Sequence, residues 1–531
     1  MNHSNLPRAR FISAVSRDAQ RSALPTRRRA PLRVAAKRWN LLPNFIYTAT
    51  LLAVAGCMVG PAYHPPKPLP QDSPESYKES PSQFKDAPTW MVAQPQDAML
   101  HGKWWQLFHD PQLNALEDQL DINNQNIKVS FENFMAARAL IGEARSQLYP
   151  TVTVGATYSR SRAPLINAGG ASIATSSPNK VDTLFTTPLE VSWEPDLWGR
   201  VRSAINQAAY NAQMSAADLE NERLTEQSAL AVYFFEIRGQ DALQKIYNDT
   251  VDSDKKLLEL TQAQYDTGVG DLISVVEAQN TLQTAQATAA SIGIARAQYE
   301  HAIAVLVGKN ASGFSIKVDT SVATPPAVPI GMPSQLLERR PDVAAAERSM
   351  AAANAQVGIA TAAFYPDLTL SADAGFESSA LKTLFDWPSR FWSVGPSLSY
   401  TVFDAGLRQS TVDQYIANYN GDLAGYRQTV LTAFQQVEDN LASIRLLAQQ
   451  EARAQQAVAT ADKYVSLELD RYHTGIDPYA DVVLAENTAL ANQQTLLTAR
   501  VQQLTSAVQL ITALGGGWDL CQLPTTQQVS Q

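Results

Sequence analysis

Cys57 is the side chain in this sequence whose surroundings prescribe a covalent modification. It closes the run Leu52-Ala53-Val54-Ala55-Gly56-Cys57, and the mostly apolar, uncharged stretch from Leu41 to Gly56 follows a strongly basic leader. That stretch is too short to span a bilayer comfortably and suits the apolar core of a secretory signal. Ala55 and Gly56 are small enough for an extended backbone to enter a peptidase groove, and the Cys57 thiolate can take up a diacylglycerol. The competing reading is a buried thiol after a core helix, but leader, apolar run and small-small-Cys stand in the order of a lipoprotein signal. Residues 1–56 are therefore expected to be a removable leader, and residues 57–110 an extended segment anchored by lipid. The basic leader is longer than a signal requires. Arg27-Arg28-Arg29 is not followed closely by the apolar residues of a twin-arginine signal.

The other groups that could do chemistry do not assemble into a site. Six histidines (His3, His64, His101, His109, His301 and His473) show no metal-ligand spacing, and no glycine-rich phosphate loop precedes a helix. Gly515-Gly516-Gly517 follows a helical pattern and reads as its stop. No enzyme and no cofactor are expected. With Cys57 acylated, Cys521 is the remaining thiol, so no internal disulfide is expected. Net charge is −9 over the whole chain, and it becomes −18 once the leader, with ten basic and one acidic residue, is set aside. Such an acidic surface argues against nucleic acid as a partner, because phosphate binding needs clustered Lys and Arg. After Cys57 no run of about 20 apolar residues occurs, so a transmembrane helix is not expected. Strands are the remaining way to cross a membrane.

The elements that must carry any function are duplicated. Thr267-Gly268-Val269, Val275-Val276, Ala278 and Asn280-Thr281 match Thr474-Gly475-Ile476, Val482-Val483, Ala485 and Asn487-Thr488 at a constant offset of 207. The same offset carries Gly199 onto Gly406 and Gly308 onto Gly515. Tyr149-Pro150 matches Tyr365-Pro366 at a slightly larger one. The halves are residues 111–310 and 336–517, joined by a Pro-rich linker over 311–335 and followed by a tail, 518–531.

Each half reads helix, strand, strand, very long helix, second helix. Leu197 to about Tyr265 is free of proline and helical in spacing, as is Leu407 to about Arg471; each predicts a helix of roughly 100 Å. Val430, Phe434, Val437, Leu441 and Ile444 alternate four- and three-residue steps, the seam of a coiled coil. Leu230, Phe234 and Ile237 occupy the corresponding positions of the first half. Four stretches alternate with period two: Val152, Val154 and Tyr158; Leu189, Val191 and Trp193; Leu368 to Phe376; and Trp392 to Val402. One apolar and one small-polar face fits a lipid-facing barrel around water, and equally a half-buried soluble sheet. Four strands cannot close a barrel alone and open edges are forbidden in lipid, so a membrane barrel would have to be shared among subunits.

These residues resemble outer-membrane efflux channels of the OprM and NodT type, in the TolC-like family. The resemblance rests on Cys57-Met58-Val59-Gly60-Pro61, on Trp104-Trp105-Gln106-Leu107-Phe108-His109-Asp110-Pro111, on Pro195-Asp196-Leu197-Trp198-Gly199-Arg200 and Phe403-Asp404-Ala405-Gly406, and on the two Thr-Gly turns. It covers nearly everything after Cys57. It implies an α+β membrane protein: a homotrimer with one 12-stranded barrel in the outer membrane, four strands per chain, continued by a coiled-coil helical tunnel through the periplasm. It further implies a passive exit duct for drugs and other small toxic compounds. The implied partners are a periplasmic adaptor (membrane fusion protein), an inner-membrane transporter of RND type and outer-membrane lipid. A duct for protein export or metal efflux, and a non-conducting periplasmic scaffold lipoprotein, are the alternatives.

The resemblance also implies roles for the turns at the helix ends. Tyr265, Gly268, Tyr472 and Gly475 mark tips expected to dock the adaptor, although the glycines are equally explained as helix stops. Asp481 stands where the family often places a tunnel-lining aspartate, and three such carboxylates on one axis would repel one another and attract cations. A solvated carboxylate favourable to the start of a helix explains the same residue. Asp477 stands where some relatives carry a basic gate residue, Leu484 where some carry a second aspartate, and Ser274 occupies the matching position of the first half. The constriction is therefore expected at Asp481, Leu484 and Ser274, with closure leaning on helix packing.

Overall fold

The computed structural model describes residues 58–69, 77–79, 90–92, 102–162, 181–330 and 339–530. The leader and Cys57 lie outside the described residues.

In chain order, the short strand β1 (Trp90–Val92) is followed by helices α1 (Pro111–Asn123) and α2 (Gln125–Ser146). Strands β2 (Thr151–Val154), β3 (Thr157–Arg162) and β4 (Val181–Trp193) lead into α3 (Arg200–Asp266) and α4 (Leu272–Leu306). After β5 (Val328–Ile330), the plan repeats as α5 (Pro341–Ala362), β6 (Asp367–Ser378), β7 (Arg390–Ser399), α6 (Leu407–His473) and α7 (Tyr479–Ala513). A last turn, α8 (Thr526–Val529), packs Val529 against α2 and α3. β1 and β5 form a small parallel pair that period-two patterning did not announce, because each has only three residues.

The duplication is exact in length where it matters: α3 and α6 have 67 residues each, α4 and α7 have 35 each. A 67-residue helix runs about 100 Å. Long helices begin where a glycine turns the chain out of the sheet. Gly199 and Gly406 precede α3 and α6 with φ of 81° and 91°, values that disfavour any side chain. Neither caps its helix with a side chain, so an upstream aspartate does: Asp196 accepts from the backbone N–H of Val201 and Arg202, and Asp404 from that of Gly406 and Arg408. Arg202 and Arg408 return ion pairs to those aspartates at 3.0 and 2.5 Å. The repeated Asp-x-x-Gly and Asp-x-Gly motifs are thus helix starters.

Shorter helices complete each rod. α2 packs beside the first part of α3 through Ile141, Ala209 and Ala212, and α4 packs beside α3 from the far end. Where α4 stops, Asn124 joins it to α2, accepting from Asn126 and Ile127 N–H while donating to Leu306 O at 3.0 Å. In the second half Arg340, at the start of α5, donates to Ala513 O at the end of α7, also at 3.0 Å. The main core gathers Trp104, Trp105 and Phe108 with Leu230, Phe234 and Ile237 of α3 and Val437, Leu441 and Ile444 of α6. The seam residues anticipated on both long helices are buried there, with Phe434 partly so, except Val430, which is buried in a separate cluster with Val343 and Met350 of α5.

The larger sheet has the order β2/β3–β4–β6–β7, entirely antiparallel. β2 and β3 keep one register against β4 (Val154 faces Leu189, Thr157 faces Thr186), so they are a single strand interrupted opposite Pro188. Proline has no N–H for the ladder. Across from it on β6 sits Gly375, where a Cβ would lie 2.2 Å from Thr187 O. Each chain therefore contributes four strands. The last one ends at Ser399, so Tyr400 and Val402, expected to continue its alternation, lie beyond it on the way to α6.

Candidate constriction and helix tips

Each long hairpin turns through the same device. At the end of α3, Gly268 takes φ 77° and Val269 N–H returns to Gln264 O; at the end of α6, Gly475 takes φ 72° and Ile476 N–H returns to Arg471 O. These are left-handed helix stops, so the structural role of both glycines is explained locally. The restart differs. Asp271 caps α4 by accepting from Ser274 N–H at 2.8 Å, which burdens Ser274 with a local structural contact. α7 begins after Pro478, without a side-chain cap, and carries Asp481 in its first turn.

The second tip holds a charged cluster. Asp477 accepts from Arg471 through both oxygens, one contact being 2.8 Å from Nη2. The Arg471 hydrogen bond holds the Asp477 carboxyl below the usual carboxylate range, while desolvation and the bond to Asp477 push Glu468 up. The charge of Asp481 bears on both Glu468 and Arg471. Asp477 thus pairs with a cation from its own hairpin.

Apolar side chains are exposed at both tips. Leu484 is 59% exposed in the single chain, and Val269, Ile273, Val276 and Ile476 are exposed as well. Tyr265 is also open to solvent. Tyr472, the fourth residue named for the tips, is turned inward instead. Its ring lies 5.7 Å from that of Tyr479, in a cluster with Leu257, Ala278 and Val482, and its hydroxyl donates to Gln264 Oε1 at 2.6 Å. It ties α6 to α3 within one chain. Arg471, Gln264, Asp254 and Glu486 were not singled out from sequence. The signal for the last two is a carboxylate in or beside a buried helical stripe: Asp254 within Val251, Leu257 and Thr261 on α3, and Glu486, half-buried, next to Val482, Ala485 and Ala489 on α7.

At the opposite end the sheet has two unlike faces. Val152, Val154, Leu189, Trp392, Val394 and Leu398 share one face and are exposed. The other carries Thr153, Glu190, Asp373 and Ser393, directly paired in that order across β2, β4, β6 and β7, with Ser393 donating to Asp373 at 3.0 Å. Among the described residues β2/β3 and β7 are the sheet's edges, each paired on one side only. Among the described residues no helix is long and apolar enough to cross a membrane.

An apolar-out, polar-in sheet above paired helical rods defines the outer-membrane efflux channels. The chain belongs to that family: residues 116–309 and 332–516 match the model described as Outer membrane efflux protein. It is 30% identical over 472 residues to the antibiotic efflux pump outer membrane protein ArpC of Pseudomonas putida, covering 88% of this chain and 94% of that one. The toluene efflux pump outer membrane protein TtgC of Pseudomonas putida matches with the same identity and coverage. The solved outer-membrane channel OprN has the same fold, with a TM-score of 0.76 at 27% identity over 87% of this chain and 100% of that one. The chain is an outer-membrane efflux protein with the mixed helix and sheet architecture of the TolC-like channels.

Proposed function

We propose that the chain is the passive exit duct of a tripartite efflux system, working as a homotrimer. One observation carries the reading: a four-stranded sheet with an apolar exposed face, an acidic and hydroxylated opposite face, and, among the described residues, both edges unpaired. Edges cannot stay open in lipid, and three copies close them with 12 strands around a polar lumen. The exported compounds are small toxic molecules, in keeping with the antibiotic and toluene pumps named for its relatives. The partners are a periplasmic adaptor, docking at the tips around Tyr265, Gly268 and Gly475, and an inner-membrane transporter of RND type. Asp481 and Leu484 face the tunnel axis near those tips, with Ser274 alongside.

Lipidation of Cys57 belongs to the same reading. Met58, the next residue, packs so closely on Gly199 that a Cβ there would lie 2.7 Å from Met58 Cγ, and Val59 N–H donates to Trp198 O. Residues 58 and 59 are thereby held at the junction between sheet and helix, the level at which the membrane surface would fall, next in sequence to the residue that would carry the acyl chain. Reconstitution in planar bilayers tests the reading: discrete conductance from a crosslinkable trimer is expected, and a monodisperse monomer, or a trimer without conductance, overturns it.

A further inference from the structure

About three turns above the tips, the four helices meet in a layer that holds more acid than its surroundings can solvate. Asp254 on α3 is 1% exposed, and its Oδ2 has no hydrogen-bond partner among the described residues. Glu486 on α7 accepts from Ser253 Oγ at 3.1 Å through one oxygen, while its Oε2 is buried and unpartnered. The buried hydroxyl of Tyr479, on α7, is likewise left over. Within reach of this layer are Glu277 from α4 and Tyr472 from α6, and the charges acting on Glu486 and Tyr479 are all acidic. Two carboxylates in a buried joint, with no cation among the described charges that act on them, disfavour ionisation. Burial pushes Asp254 up to about 6, and burial with the neighbouring Asp254 charge pushes Glu486 up to about 7.

The position gives this chemistry a consequence. Asp254 belongs to the first hairpin and Glu486 to the second, and the joint between them lies just above the expected constriction. Asp254 is buried within the single chain, and Glu486, half-buried, keeps its Oε2 out of solvent there. We propose that Asp254 and Glu486 form a proton-operated latch between the two helical hairpins of each subunit, closed when the pair is protonated and released when both ionise. The consequence for flow rests on the duct reading given above; the latch itself does not.

The direction follows from linkage. In a parted, wetted joint both carboxyls would return towards their ordinary values of 3.8 and 4.5. The closed joint therefore holds protons more tightly. Its advantage is complete below those values and is lost as pH rises through about 6 and about 7.

The purified trimer should be compared with Glu486→Gln and Asp254→Asn, amides that keep the shape and cannot ionise. In bilayers, the open probability of the wild type is expected to rise on the order of tenfold between about pH 5 and about pH 8, with either variant flattening that rise towards the low-pH level. Hydrogen–deuterium exchange around residues 254 and 486, corrected for intrinsic rates, reads the joint without conduction. Protection lost with rising pH in the wild type and retained in the variants supports the latch even if the trimer does not conduct. Wild-type protection unchanged between about pH 5 and about pH 8 overturns it, also if the variants fail to assemble. So does a variant profile that follows the wild type. An Asp481→Asn trimer should keep the wild-type exchange profile, which separates the latch from the constriction below it.

Discussion

Tyr472 donates its hydroxyl hydrogen to Gln264 Oε1 at 2.6 Å, with Thr261 Oγ1 at 3.5 Å, a direct link between the last turns of the two long helices. It spans the two halves of the duplication. An extended rod has little core per turn at its tip, so one such bond weighs heavily in how firmly the hairpins stay together. Tyr472→Phe keeps the ring against Tyr479 and removes the bond, at a cost of about 1 kcal/mol. Single-channel recordings should show more frequent openings with an unchanged trimer yield.

Asp481→Ala is expected to reduce cation selectivity and block by multivalent cations, with little effect on assembly. At 4 Å and an effective dielectric of about 20, two unit charges interact by roughly 4 kcal/mol, and by less across a ring. Unchanged selectivity and block would make Asp481 only a helix-start carboxylate.

Leu484→Ser removes an apolar group from the same level without adding charge. Resting conductance should rise while cation selectivity stays as in the wild type. The two substitutions measured side by side separate an electrostatic filter from an apolar plug.

Arg471→Ser leaves Asp477 without its cation. The charge of Arg471 also bears on Asp481, so its loss makes the tip more acidic. Block by divalent cations should strengthen severalfold, the reverse of Asp481→Ala, and weaken with added salt as exposed charges are screened.

Gly375→Val tests the sheet. Its Cβ would collide with Thr187 O at 2.2 Å, so β4 and β6 must separate opposite Pro188. Overpacking of this kind costs about 1–3 kcal/mol, and the yield of crosslinked trimer should fall. Cys57→Ser leaves the sheet intact and should abolish fatty-acid labelling while weakening membrane attachment during assembly.

Much of this architecture is carried by local pattern. Period-two alternation marked four strands, proline-free helical spacing marked two helices of equal length, and Thr-Gly pairs marked both tips. Each follows from backbone geometry that a residue imposes on its neighbours, which is why a duplicated sequence reproduces it twice. The free edges of the sheet, and hence the need for other copies, also follow from counting strands. Partners distant in sequence were decided by packing alone. Tyr472 has the same local signature as an exposed tip residue, yet packing with Leu257, Ala278 and Tyr479 turns it inward onto Gln264. Asp477 lies six residues after Arg471, and only the tightness of the turn brings the two together. Asp254 and Glu486 lie 232 positions apart, on separate hairpins. Their meeting depends on the height at which α3 and α7 pack, a long-range relation that no single helix encodes.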